Sequence, residues 1–218
     1  MRFLEFGPDD TLMRSLARLR ILPEYHVLDF FIKELSEEDP YLKNIPDALP
    51  GLEFRELKPA EAGALPFEKG LPDGEERRKR FNQGSRLFVV LKAGHAVAVD
   101  WMNPNFADLA HIKKPKLPVP LGMVYSHGAA VSSAYRNRGI GKWMKSRILR
   151  RFRDDGFSLV FLAVFLEDIR PSRWHLSYGC KKWGRVFHFT SRGKDFWWFR
   201  LTKTGRCYPP LLKNLRNA

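Results

Sequence analysis

The sequence predicts an α/β domain: a mixed, mostly antiparallel sheet with one central parallel strand–helix–strand crossover and flanking helices. Three observations predict it. Two β-rich runs, residues 87–91 and 96–101, are joined by the short connection Lys92-Ala93-Gly94-His95, the length of an antiparallel hairpin. A strand-like stretch over 123–131 leads through a glycine-containing turn into an amphipathic run from Ile140 to Asp154. Residues 159–166 are then apolar at successive positions instead of alternating, as expected of a strand covered on both faces.

In chain order, Leu12, Met13, Leu16, Leu19 and Leu22 recur at helical spacing with Arg14, Arg18 and Arg20 between them. This reads as a short amphipathic helix, either packed on the main domain or lying as a basic helix on a membrane surface. Residues 36–51 carry acids, three prolines and Gly51 with little periodicity, and suggest a linker. The expected division is an N-terminal helical extension over 1–51, a main domain over 52–203 and a tail over 204–218. Leu52, Phe54 and Leu57 suggest the first strand of that domain, and Pro59-Ala60-Glu61 opens a helix or irregular excursion. Residues 70–86 are mostly charged. The polar, proline-rich stretch 103–120 reads as a loop near whatever the protein binds. In the run 140–154, Ile140, Met144, Ile148 and Phe152 form one i, i+4 row, the opposite face is strongly basic, and Gly156 supplies a stop. Asp168 and Pro171 mark a further helix start and Gly179 its end. Residues 185–189 and 195–201 then close the sheet as a hairpin.

Composition bounds the function. At 218 residues with 44% apolar and 28% charged side chains, the chain can bury a core and is neither fibrous nor disordered throughout. The longest apolar run falls far short of the roughly 20 residues a bilayer-spanning helix needs, and the first ten residues lack a secretory apolar stretch. The expected location is the cytoplasm, with peripheral membrane contact disfavoured. Two cysteines, Cys180 and Cys207, make neither a disulfide framework nor a structural zinc site, so no metal is expected. A net charge of +14 points to an anionic partner: nucleic acid, an acidic membrane face or a phosphorylated small molecule.

Residues 136–141 carry the sharpest chemistry. Gly139 and Gly141 let the backbone approach a ligand while the following helix begins with unsatisfied N–H groups, an arrangement that binds phosphate oxygens. Arg136, Arg138 and Lys142 add positive charge, so a diphosphate finds both directional donors and compensating cations. The spacing matches neither a Walker loop nor a dinucleotide fingerprint, since the lysine–serine pair of one and the third glycine and later acid of the other are missing.

The stretch Ala129-Ala130-Val131-Ser132-Ser133-Ala134-Tyr135-Arg136-Asn137-Arg138-Gly139-Ile140-Gly141 resembles the acyl-CoA-binding motif of the GCN5-related N-acetyltransferases (GNAT), and the order of elements over 52–203 resembles theirs, with Gly179-Cys180 where Gly-Phe is common. The resemblance implies that backbone groups of Ala129 and Val131 meet the pantetheine arm of acetyl-CoA or another acyl-CoA, in a V-shaped opening between the strands at 123–131 and 159–166. It also implies that the amides of Asn137, Arg138, Gly139, Ile140, Gly141 and Lys142 hold the pyrophosphate. Asp168, where relatives often have asparagine, would adjoin the cofactor arm or serve as a helix N-cap.

The reaction implied is direct attack of a neutral amine on a thioester, with no covalent enzyme intermediate. It calls for a base, an oxyanion donor and an acid for the thiolate. His175 stands where relatives carry a tyrosine acid, and Tyr178, three residues on, is close enough on a helix to replace it. Either is also explained as a packing residue at a helix end. A glutamate base of some relatives corresponds to Ala163, which accepts no proton. Period-two geometry puts Tyr125, His127 and Ala129 on one face, with His127 expected near the amine at a pKa suited to neutral pH. Glu167 and water-mediated deprotonation are alternatives.

The function expected is acetyl transfer from acetyl-CoA to an amine of a small molecule or sugar. A nucleic-acid-binding or RNA-directed acyltransferase module is a second reading, motivated by Arg147, Arg150, Arg151 and Arg153 and by the aromatic cluster at 196–199. A peripheral membrane long-chain acyltransferase is a third.

Overall fold

The computed structural model describes residues 3–4, 24–43, 46–109, 117–165, 174–191 and 194–201. In chain order its elements begin with β1 (Phe3–Leu4), β2 (Glu24–Glu34), α1 (Pro40–Lys43), β3 (Glu53–Leu57), α2 (Pro59–Ala64) and α3 (Gly74–Asn82). The strands β4 (Arg86–Lys92), β5 (His95–Asn103), β6 (Phe106–Ala107), β7 (Leu117–Pro118) and β8 (Met123–Val131) follow. Last come α4 (Ile140–Asp154), β9 (Leu159–Phe165), β10 (Lys181–Ser191) and β11 (Lys194–Leu201). The chain divides into two compact units, one of 1–33, 108–120 and 161–218, the other of 34–107 and 121–160.

The second unit is built on antiparallel pairings of β3 with β4, β4 with β5 and β5 with β8. The β4–β5 hairpin closes through Ala93 and Gly94, both at positive φ, as a two-residue turn matching strand twist requires. Alternation then sorts the side chains. Phe88, Val90, Ala98, Met102 and Val124 pack against Ile140, Met144, Ile148 and Phe152, the row expected of α4. Leu87, Val89, Leu91, Val99 and Trp101 face the other way and are covered by Ala62 of α2 and Phe81 of α3, the latter edge-on to Trp101. The α4 helix ends before Gly156, whose φ is +87°. The N–H groups of Ser158 and Leu159 then donate to Gly122 O, at 2.8 and 3.4 Å, which sets β9 off beside the start of β8 and in the same direction. The expected mixed, mostly antiparallel sheet with a parallel crossover is the observed architecture. At the far end of α4, Arg86 joins Glu56 (2.7 Å) to Asp155 (2.9 Å), tying the helix terminus to β3 and β4.

The β5–β8 pairing contains a register shift. Val99 pairs with Ala130 and Trp101 with His127, so Gly128 and Ala129 together oppose Asp100 in a β-bulge. Gly128 adopts φ +62°, a left-handed conformation that side chains disfavour. Beneath the bulge, fully buried Asp100 meets the Lys145 ammonium of α4 at 2.5 Å, and the same ammonium donates to Ser126 Oγ at 2.7 Å. Burial pushes the Asp100 carboxyl up despite the pull of Lys145.

In the first unit the strand order is β1-β11-β10-β2, continued by the 161–165 part of β9. The β10–β11 hairpin is as expected. The helical extension expected over 1–51 does not hold for 24–34, which form an eleven-residue strand antiparallel to β10. Its Val27, Leu28, Phe30, Phe31 and Ile32 are buried at successive positions, so there is neither alternation nor helical periodicity to read. Asp29 binds Lys182 (2.5 Å) and Arg185 (2.8 Å); burial alone would raise its pKa, but those hydrogen bonds and charges hold it below the usual value. The amphipathic segment at 12–22 and the tail at 204–218 lie outside the described residues.

Removing one partner of a buried ion pair leaves an uncompensated charge. Lys145→Met is expected to cost about 3–5 kcal/mol in urea unfolding at pH 7, with part of the loss recovered in Lys145→Met/Asp100→Asn. An effect within about 0.5 kcal/mol, the range of ordinary surface substitutions, would show that the pair does not anchor the helix.

Candidate functional site

The turn before α4 is assembled from local rules. Ser132 N–H donates to Val97 O, ending β8, and a single 3-10 turn follows over Ser133–Tyr135. Asn137 and Gly139 take φ of +61° and +77°, so the chain reverses within a few residues and Gly139 becomes the N-cap of α4 without a side-chain cap. The first helical bond runs from Trp143 N–H to Gly139 O, so the amides of Ile140, Gly141 and Lys142 have no acceptor within the helix. A Cβ on Gly139 would meet nothing within 4 Å, so the glycine serves the backbone angle and not a close approach of a neighbour. Arg136, Asn137, Arg138, Gly139 and Lys142 are exposed. Lys92 and Arg138 flank the Tyr135 ring at 5.3 and 5.7 Å, and no acidic residue occurs in the sequence from Leu109 to Arg153. Such a surface can take a diphosphate, with directional donors at the helix end and cations around them.

Arg136 departs from its expected place. Its Nε donates to Val131 O at 3.0 Å, so the side chain folds back along the end of β8 and braces the turn. That carbonyl, expected to meet a pantetheine arm, has a protein partner here. The end of β8 is nonetheless accessible: residues from Met123 to Ser126 are buried, whereas Gly128 and Ala129 are exposed.

His127 precedes the bulge. Its ring stacks on Tyr125 at 5.4 Å and 10°, confirming their common face, while the bulge displaces Ala129 from the simple alternation. Nε2 lies 3.2 Å from Ser85 Oγ, and Ser85 Oγ accepts from Asn103 Nδ2 at 3.1 Å. Asn103 is itself fixed by donating to Gln83 O and accepting from the amides of Asn105 and Phe106. The hydroxyl can serve either imidazole tautomer, so this chain of bonds orients the ring and leaves Nδ1 for a ligand. The neutral-range pKa expected of His127 is not found: burial, with the charges of Arg80 and Lys145 adding to it, pushes the imidazole down to about 3. A positive field surrounds this ring, and sequence reading missed its sources. Arg80 sits in a segment read only as charged, and Lys145 is one of several basic residues in the run 140–154.

In the other unit Tyr178 and His175 are buried, Tyr178 in a cluster with Phe31, Leu162 and Val164 against which half-buried Trp174 packs. Trp174 meets Tyr178 edge-on at 4.6 Å and His175 at 4.9 Å. Gly179, φ +74°, ends the helical turn at 174–176 as expected. Asp168 and Glu167 lie outside the described residues. On the outer side of α4, Arg147 and Arg150 bind Asp47, Arg151 binds Asp155 and Arg153 binds Asp154. Arg147, Arg150 and Arg151 also line a groove of about 420 Å³ with Phe54, Glu56, Phe88 and Asp154. Its basic groups already have carboxylate partners, and it lies toward the opposite end of the helix from the glycine turn.

The acetyltransferase (GNAT) family model matches residues 54–176, from β3 through α4 and β9. No curated protein matches the chain by sequence. Solved structures of similar fold include a GCN5-related N-acetyltransferase from Sphaerobacter thermophilus, at 16% identity over 83% of this chain and 56% of that one, with a TM-score of 0.53. A tandem GNAT protein from the clavulanic acid biosynthesis pathway shares 15% identity over 88% of this chain and 62% of that one, TM-score 0.53. A conserved protein of unknown function from Staphylococcus epidermidis shares 13% identity over 84% and 68%, TM-score 0.54. The chain thus spans about three fifths of the length of such structures. With the family model covering more than half of the sequence, and the turn, helix and crossover inside it, the chain belongs to the acetyltransferase (GNAT) family.

Proposed function

We propose that the protein is an acyl-CoA-dependent N-acyltransferase that moves an acetyl group from acetyl-CoA to an amine of a small molecule or sugar. The observation that carries this reading is the turn over 136–142, where left-handed Asn137 and Gly139 lead into a helix whose first amides have no acceptor within it, among the exposed cations Arg138 and Lys142. The residues present fit a coenzyme A diphosphate: Asn137 to Lys142 supply amides, and Arg138 and Lys142 supply charge. The exposed backbone of Gly128 and Ala129 suits an extended amide-bearing arm. Acetyl-CoA would bring an activated acyl thioester, and the chain's part is to bind, orient and manage protons.

His127 is the group proposed to face the amine, through Nδ1, with Ser85 and Asn103 holding its ring. Because the imidazole is neutral throughout the physiological range, it accepts a hydrogen bond from the amine, and the proton that the nitrogen loses as the C–N bond forms passes on to solvent instead of staying on the ring. Burial, with the charges of Arg80 and Lys145 adding to it, lowers the pKa of this imidazole, and the same surroundings disfavour a bound ammonium and favour the nucleophilic free amine. Tyr178 and His175 are the groups proposed as proton donor to the departing thiolate.

Calorimetry with acetyl-CoA, desulfo-CoA and adenosine diphosphate is expected to give micromolar binding, about −8 kcal/mol. Arg138→Glu is expected to abolish it. Gly139→Ala, in which only the backbone angle is at stake, is expected to weaken it by about tenfold. Unchanged affinity in both variants would remove the turn from the mechanism. For catalysis, His127→Ala is expected to lower kcat/KM by about 10²-fold. Since the His127 pKa lies near 3, the wild-type rate profile between pH 5 and 9 should show only the ionisation of the amine, at the same position in the variant. An acid limb near 6.5 that vanishes with His127 would establish it as the titrating base instead.

A further inference from the structure

Arg80, on α3, occupies an unusual position for a surface-helix arginine. Its Nε is held by Glu76 at 2.8 Å, one turn back on the same helix, and its side chain is only 18% exposed. The guanidinium lies against the bulge of β8, so close that a Cβ on Gly128 would collide with Nη1 and come within 2.8 Å of Cζ. Two features of Gly128 therefore serve one neighbour: the positive φ turns its backbone aside, and the missing side chain makes room for the cation. Trp101 supports the guanidinium from below, at 5.4 Å. Nη1 is buried and has no hydrogen-bond acceptor, so a charged donor is kept desolvated in a place that the backbone has been shaped to provide. Glu76 of α3 holds the Arg80 Nε, the charge of the guanidinium reaches the His127 ring of β8 and, through the sheet, the Asp100 carboxylate of β5, and Lys145 of α4 acts on the same imidazole from the other face. Glu76 is taken up by Nε, and Asp100 by Lys145.

We propose that Arg80 is the receptor for an anionic group carried by the acceptor, so that the substrate amine bears a carboxylate or phosphate close to its nitrogen. The inference rests on the proposed acyltransferase function, in which the amine meets His127. A bare alkylammonium is repelled by the field that Arg80 and Lys145 set up, whereas an amine that carries its own anion brings the compensating charge and satisfies the orphaned Nη1. Arg80 thereby determines specificity: it fixes the end of the acceptor that does not react and leaves the amine to His127.

The test has two arms. In the first, acetate and, separately, inorganic phosphate are titrated into isotopically labelled protein while the His127 ring is followed by NMR. An anion on the guanidinium cancels part of the charge that depresses the imidazole, so the expected result is a saturable shift and a rise in the His127 pKa. The effect should be lost in Arg80→Gln and retained in Arg138→Glu, whose turn site is disabled. The more effective anion identifies carboxylate or phosphate as the group recognised. In the second arm, kcat/KM is compared within pairs that differ only in the anion: phenylalanine against its amide, and glucosamine 6-phosphate against glucosamine. Wild-type protein should favour one anionic member at least tenfold, Arg80→Gln should lose that preference, and Arg80→Lys should restore part of it. Coenzyme A binding by calorimetry should be the same in wild type and Arg80→Gln, which shows that the variant is folded. No saturable His127 response to either anion, a response unchanged in Arg80→Gln, or equal turnover of the paired amines would overturn the proposal. Absence of coenzyme A binding in the wild type would overturn the acyltransferase reading alone, since the NMR arm reports on Arg80 without it.

Discussion

The arrangement depends on one extra residue in β8. By setting Gly128 and Ala129 against the single Asp100, the bulge breaks the ladder where these two residues of the strand are exposed, and the two faces of the sheet acquire different chemistry there. On the α4 face the interruption lies over a buried carboxylate that the Lys145 ammonium must match. On the opposite face it turns His127 toward Ser85 and opens the space into which the Arg80 guanidinium is laid. A regular strand would close that space with a Cβ and return Ala129 to the alternation. The costs are concrete: a left-handed backbone at Gly128, a desolvated carboxylate, and a buried donor without an acceptor. Such costs gather where a fold is shaped for a ligand instead of for its own stability.

Charge has two opposite uses in the same unit. On the outer side of α4 the arginines are absorbed by Asp47, Asp154 and Asp155, and that side presents mixed charge despite its basic sequence. At the turn the cations have no carboxylate beside them among the described residues, and near His127 the Arg80 guanidinium is held through Nε alone, and it is there that the chain can do work on an anion or a proton. Net charge alone does not separate these cases. The position of the nearest carboxylate does.

The range of each interaction decides whether the sequence discloses it. The turn over 136–141, the buried row of α4, the β4–β5 hairpin and the β10–β11 hairpin are governed by neighbours a few residues apart, and each is legible from spacing. Strand β2 is not, because Val27 to Ile32 are buried on both sides and lack any period. Helix α3 is obscured for the contrary reason: six of its nine residues are charged, so no apolar stripe betrays it, and Arg80 goes unnoticed with it. The pairing of Asp100 with Lys145, and of Ser85 with His127, spans some forty residues and is created by sheet register. His127 itself is found by residue type, but its proton affinity is not, since that is set by neighbours which only the fold brings together.

The clamp at the opposite end of α4 carries a consequence for the glycine turn. Arg86 grips both Glu56 and Asp155, so the helix is moored to two strands at its C-terminus, while Lys145 pins its middle. A rod fastened at those points has little freedom to slide along its own axis. The amides at its leading end therefore stand at a constant height above the sheet, and a polyphosphate arriving there meets a prearranged cradle whose ordering was completed when the chain folded.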